Sequence, residues 1–144
     1  MKVKTCKLLI LFICMSFFSC KAFTVEKIPY LIESSLVMED SSDYEIAGLK
    51  LSFLNRSDKK VSEFTIVFYL FDEDGEPASF CRSNVVLTVK NEIDAGQKLE
   101  ACLNLDSFFF YEPEDNYFAD YVYISRIVYE DGTSWNDPFG LMLY

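Results

Sequence analysis

The residues able to do chemistry are defined first by what is missing. There is no histidine among the 144 residues. That removes the usual general base near neutral pH and the commonest metal ligand. Ser-His-Asp and Cys-His catalysis both need an imidazole and are excluded. The 23 acidic side chains are so numerous that some pair will stand at glycosidase separation by chance, so such a pair points to nothing specific. Asp72-Glu73-Asp74-Gly75-Glu76 offers the hard oxygen ligands that calcium wants. The EF-hand spacing fails, however, because Pro77 occupies the sixth position where that loop needs glycine. Glu112, Glu114, Asp115 and Asp120 form a second acidic loop of the same kind. We therefore expect no enzyme, no metal and no cofactor. The residues with most binding potential are aromatic: Phe108, Phe109, Phe110, Tyr111, Tyr117 and Trp135, with Phe118 beside them. Such faces stack on sugars, and they equally close one end of a β-sandwich by burying large areas. Cys81 and Cys102 allow one intramolecular disulfide; the alternative is two small, partly buried thiols.

The beginning of the chain carries a different chemistry. Lys2, Lys4 and Lys7 precede the apolar run Leu8 to Phe18. The run is too short for a membrane-spanning helix, which needs about 20 residues, and it fits the charged and apolar regions of a secretory signal. It ends in Phe17-Phe18-Ser19-Cys20, which resembles the lipobox of bacterial lipoproteins, with Phe17 standing where Leu is usual. The resemblance implies cleavage after Ser19, a signal peptide over 1–19, and acylation of Cys20. Residues 20–27 then form a lipid-bearing spacer, and Cys6 and Cys14 leave with the leader. Several acyl chains hold a protein stably, at about 0.8 kcal/mol per buried methylene. The other reading is cleavage after Ala22, which yields a soluble secreted protein. Loss of the three leader lysines leaves 10 basic against 23 acidic side chains, a net charge of −13. A domain so acidic, with no basic stripe, repels nucleic acid.

The elements that position these residues read as strands. In Phe64 to Phe71, Phe64, Ile66, Phe68 and Leu70 recur at every second residue, the period of a strand with one face in a core. Thr65, Val67, Tyr69 and Phe71 make the other face, itself half apolar, and Asp72 to Gly75 turns the chain. Further strands are expected over 28–38, with Pro29 marking an edge, over 46–54, 83–90, 98–105 and 121–129, and over 133–144, broken by Asn136-Asp137-Pro138. In the sixth strand the apolar phase slips from Val122 and Ile124 to Ile127 and Tyr129, which a β-bulge near Ser125 and Arg126 would absorb. Asp131-Gly132 signals a hairpin, and Pro113 followed by acids could open a helical turn. About seven strands joined by turns predict an all-β, immunoglobulin-like antiparallel β-sandwich over 28–144.

The segment Phe68-Tyr69-Leu70-Phe71-Asp72, followed by Glu73-Asp74-Gly75, resembles the signature of small bacterial immunoglobulin-like domains of the Phe-x-Leu-Tyr-Asp type, with Phe71 at the position where they prefer Tyr. Leu54-Asn55 before a polar loop and Gly96 before the fifth strand are similar to the same family. The resemblance spans roughly residues 45–105. It implies an immunoglobulin-like fold and a location outside the cytoplasm, and it brings no catalytic residues. Two functions follow as expectations. One is a non-enzymatic cell-envelope lipoprotein, held to the membrane by lipid and engaging an envelope or extracellular protein. The other is a secreted carbohydrate-binding domain using residues 108–118.

Overall fold

A computed structural model describes residues 27–38 and 42–142. The leader, Cys20 and most of the spacer lie outside these residues. Among the described residues seven strands form: β1 (Tyr30–Val37), β2 (Gly48–Asn55), β3 (Val61–Asp72), β4 (Asn84–Ile93), β5 (Lys98–Asn104), β6 (Tyr117–Tyr129) and β7 (Ser134–Asn136). They make two antiparallel sheets, one in the order β1-β2-β5 and the other β4-β3-β6-β7. Placing strands 1, 2 and 5 against strands 3, 6 and 7 is the immunoglobulin arrangement, here with the fourth strand paired to the third. β1 is an edge strand, as Pro29 implied.

The core lies between the sheets. Leu49, Leu51 and Phe53 of β2 face Phe64, Ile66, Phe68 and Leu70 of β3, and all are buried. The Phe53 and Phe64 rings stack across the layers with centroids 4.3 Å apart. Tyr30 extends this stack at 6.1 Å from Phe53 and meets the edge of Trp135 at 5.5 Å. A buried phenol needs a partner for its hydroxyl, and Tyr30 supplies one by accepting the backbone N–H of Ile124 at 3.2 Å. Burial raises the Tyr30 pKa, opposed by that hydrogen bond.

The phase slip in β6 is a bulge, as the sequence predicts. Thr65 pairs with Arg126 and Ile66 with Ile124, so Ser125 is the extra residue. A second irregularity was not foreseen. Val67 pairs with Tyr123 and Tyr69 with Asp120, which leaves Tyr121 and Val122 opposite Phe68. Tyr121 there has φ +52°, a left-handed conformation that glycine ordinarily fills at a bulge.

Three expectations about irregular segments are corrected. No helix opens at Pro113; among the described residues the one short helical turn is a 3-10 turn at Asp106–Phe108. β6 begins at Tyr117 rather than Tyr121. The last strand, expected over 133–144 with a break at Asn136-Asp137-Pro138, is Ser134–Asn136 and ends at that break, with no strand following it among the described residues. The buried Asp137 carboxylate accepts the N–H groups of Leu141 and Met142 at 2.9 and 3.0 Å and curls the chain away. In consequence β7 covers β6 at Arg126 to Val128, and among the described residues no strand lies on that side of β6 over 117–125.

Two polar side chains tie the loops. Asn55, fully buried at the end of β2, donates its amide N–H groups to the carbonyls of Lys59 (2.8 Å), Ile93 (3.1 Å) and Asp94 (3.1 Å). Its Oδ1 accepts the N–H of Ser57 at 3.0 Å and the Ser57 hydroxyl at 2.6 Å. The backbone N–H of Gly96 donates to the Asn55 carbonyl at 2.9 Å, with Gly96 at φ +75°. Asp106 accepts the N–H groups of Glu45 (2.7 Å), Ile46 (2.8 Å) and Ala47 (3.2 Å), holding the approach to β2. Burial works against ionisation of this carboxylate, but the donated hydrogen bonds outweigh it and lower the Asp106 pKa.

Asn55→Ala removes the side-chain donor from the buried Ile93 carbonyl, whereas the Lys59 and Asp94 carbonyls keep the Ser57 hydroxyl and the Gln97 N–H, and is expected to cost about 1–3 kcal/mol. Asn55→Asp places a charge against the same carbonyls and is expected to cost more at neutral pH. Urea unfolding checks both, and equal or smaller losses for Asn55→Asp would contradict the donor role. Because the folded pKa of Asp106 lies below its ordinary 3.8, its contribution is present above that value and is lost as pH falls through the folded pKa. Asp106→Asn should therefore be less stable at neutral pH and show a shallower stability loss below about pH 5. Thermal melts from pH 7 to pH 3 read this out.

Candidate recognition surface

The aromatic residues singled out from the sequence do not form one platform. Phe109 stacks on Phe80 at 6.0 Å and leans on Tyr117 at 5.4 Å, and Phe80 meets Tyr117 at 5.2 Å. Tyr117 is buried and Phe108 and Phe109 are partly so; together they close one end of the sandwich. An isolated bridge between Cys81 and Phe109, with backbone bonds from Arg82 to Phe108 and from Phe110 to Phe80, fixes the segment. Burial pushes the Tyr117 hydroxyl up to about 12. Phe110 and Tyr111 remain exposed, at 65% and 59%. Trp135 is removed from the group altogether. It pairs with Ile127 and hence sits level with Phe64, whereas Tyr117 pairs with Asp72. Eight residues of β3 separate these levels, roughly 25 Å at about 3.3 Å per residue. Trp135 is a core residue beside Tyr30.

Of the two readings of Cys81 and Cys102, the structure has the separate thiols and not the disulfide. Cys81 is buried within the core at the β3–β4 connection. Cys102 pairs with Lys50 on the outer face of the three-stranded sheet, where a methyl group on Gly48 would stand 2.8 Å from its sulfur. The inward-facing side chains of a sheet lie between the two sulfurs, so no bond can form without rebuilding β5. Burial raises the Cys81 thiol to about 11. Cys102 is raised as well, by burial and then by the Asp43 carboxylate.

The acidic turn after β3 is a structured hairpin. The Asp72 carboxylate accepts the N–H groups of Asp74 at 3.1 Å and Glu76 at 2.9 Å, and Gly75 takes φ +82°. Among the described residues no three carboxylate or thiol side chains converge as a metal would require.

A different surface emerges on the outer face of the four-stranded sheet. Phe71 of β3 pairs with Phe118 of β6, and their rings stack at 5.6 Å. The Tyr121 ring stands edge-on to Tyr69 at 6.3 Å and tilted against Phe71 at 6.1 Å. Phe118 is 44% exposed and Tyr121 61%. Contiguous exposed apolar patches of this kind mark interaction sites. Beside the strip a shallow groove of about 420 Å³ is lined by Tyr69, Val86, Tyr123, Asn84 and Asn136 among others. The bulge at Tyr121 is what turns its ring outward, and a non-glycine residue at positive φ stores strain of the sort that gathers at functional sites. The half-apolar second face of β3 was the signal in the sequence; its pairing with Phe118 and Tyr121 depended on two bulges.

Two outcomes follow. In native protein a maleimide should label Cys102 well before Cys81, read by peptide mapping; protection of both as a disulfide, or faster labelling of Cys81, would refute the placement. At Tyr121 the usual strand preference should reverse, with Tyr121→Gly more stable than Tyr121→Ala by about 1 kcal/mol; equal unfolding midpoints would argue against the left-handed backbone.

No family model matches the chain, and neither does any curated protein sequence. Among solved structures, a 1.85 Å X-ray structure of a hypothetical protein from Peptoclostridium difficile 630 is similar, with a TM-score of 0.54 and 12% sequence identity over 78% of this chain and 88% of that one. At that identity the likeness is one of fold alone: the chain is an all-β sandwich built on the same plan.

Proposed function

We propose that the chain is a cell-envelope lipoprotein of the Phe-x-Leu-Tyr-Asp type, tethered through Cys20, whose sandwich recognises a partner and catalyses nothing. The observation that carries the recognition role is the outward aromatic strip in which exposed Phe118 and Tyr121 pack on half-buried Tyr69 and Phe71, with Tyr121 at a strained bulge. The tether rests on the leader and the Phe17-Phe18-Ser19-Cys20 sequence, since Cys20 lies outside the described residues. The absence of histidine supports a binding role over a hydrolytic one. Burial of Tyr117 and partial burial of Phe108 and Phe109 weaken the alternative of a secreted sugar-binding domain, because within segment 108–118 only Phe110, Tyr111 and Phe118 are exposed rings, and Phe118 is stacked on Phe71.

Metabolic labelling with a palmitate analogue tests the tether. The wild-type chain should incorporate label and fractionate with membranes, and Cys20→Ala should do neither. An unlabelled wild-type chain in the culture medium would sink the proposal. A glycan array probes the alternative: neutral sugars retained by the wild type and lost with Tyr111→Ala would favour sugar binding instead.

A further inference from the structure

One end of the aromatic strip is bordered by acidic side chains, while Arg126 lines the groove beside its other end. The acidic end meets the Asp72-Glu73-Asp74-Gly75-Glu76 hairpin, and Asp120 adjoins Tyr121 and accepts its backbone N–H at 2.7 Å. Residues 72–83 and 106–120, which build this end of the molecule, contain nine carboxylates and one guanidinium, that of Arg82, a net of −8 against −10 for the whole chain. The ion pairs among the described residues involve Lys59, Lys60 and Lys98 with Asp131, Glu92, Glu130 and Glu100. None of them uses a carboxylate from this end. The strip also runs beside the stretch of β6, residues 117–123, that no strand covers on its far side among the described residues; beyond it the Ile124 N–H is bonded to Tyr30 and the Ser125 carbonyl to the Asp137 N–H.

We propose that this face docks an extended basic polypeptide segment, with Arg or Lys side chains over the rings of Tyr69, Phe71, Phe118 and Tyr121 and against the bordering carboxylates. The inference rests on the recognition role above and names the chemistry of the partner. Guanidinium and ammonium groups are drawn to aromatic faces within about 6 Å of the ring centroid. Unpaired carboxylates at the margin steer such a ligand in and reject anionic ones. Nucleic acid and anionic lipid surfaces are repelled by the same field. A neutral sugar could use the rings and would gain nothing from the charge. The open side of β6 offers backbone groups to a chain in extended conformation, the geometry of strand addition to a sheet.

The test uses the full chain in neutral detergent micelles and a short fluorescent peptide of alternating Arg and Ser, read by anisotropy at about 0.05 and 0.3 M salt. Matched peptides replace Arg with Lys, Gln or Glu. The Arg peptide should bind and weaken with salt, Lys should bind less well, and Gln and Glu should not bind. Tyr121→Asn, which tolerates the left-handed backbone, and Phe118→Thr should each weaken Arg-peptide binding by about tenfold or more. Combining Glu73→Gln, Asp74→Asn and Glu76→Gln should weaken it and flatten the salt dependence. Glu92→Gln with Glu130→Gln, at the other end of the sandwich, should change little. Thermal melts confirm that each variant is folded. No binding of the Arg peptide overturns the proposal. So does binding that survives both aromatic substitutions, or that falls equally with the distant pair, since either would mean unspecific attraction to an acidic protein. Cys20→Ala should bind the peptide like the wild type, so failure of the tether and failure of this surface are read separately.

Discussion

A buried amide holds the two layers of this sandwich in register. Asn55 ends β2 in one sheet, and its side chain reaches the carbonyls of Ile93 and Asp94 at the end of β4 in the other. It also fastens the loop through Lys59 and Ser57 that leads into β3. Hydrophobic burial between the sheets is large but non-directional. Stacked Phe53 and Phe64 would tolerate a sliding of one layer over the other more readily than a set of short hydrogen bonds with no water to replace them. Gly96 belongs to the same device, because its N–H reaches the Asn55 carbonyl from a backbone conformation that a side chain would strain. The order of the core thus rests on a polar group at its rim.

Much of this was legible in the sequence where one face of an element is dry and the other wet. The alternation in β2 and β3 names the buried set correctly from Leu49 to Leu70. The slip of phase in β6 locates the bulge at Ser125, since one inserted residue is the way a strand keeps both halves facing inward. What was not legible depends on contacts between segments far apart in sequence. The 3-10 turn at Asp106 is held by N–H groups some 60 residues away, so no local pattern announces it. Trp135 is an indole in a short polar stretch, and its burial follows from the position of Tyr30. The break that ends β7 is legible in Asn136-Asp137-Pro138, but the grip of Asp137 on Leu141 and Met142 that curls the chain beyond it is not.

The two faces of β3 are built differently. β3 is central, paired on both sides, and its inward residues Phe64, Ile66, Phe68 and Leu70 are almost wholly buried. Its outward residues Tyr69 and Phe71 are thereby placed on the most rigid scaffold available, with cross-strand neighbours from β6 to keep their rings apart from one another. Binding groups mounted on strands lose less freedom on engagement than the same groups on loops. The left-handed backbone at Tyr121 is the local expense of that display.

The brevity of β7 has a consequence for the protein among copies of itself. A sheet margin with unmatched backbone groups invites another margin of the same kind, and fibres grow from such pairings. Here the vulnerable stretch of β6 includes Asp120 and lies beside a hairpin of four carboxylates. Two identical molecules meeting along it would press anion against anion. Crowding should therefore leave neighbours separate, held apart by mutual repulsion rather than by any wall of structure.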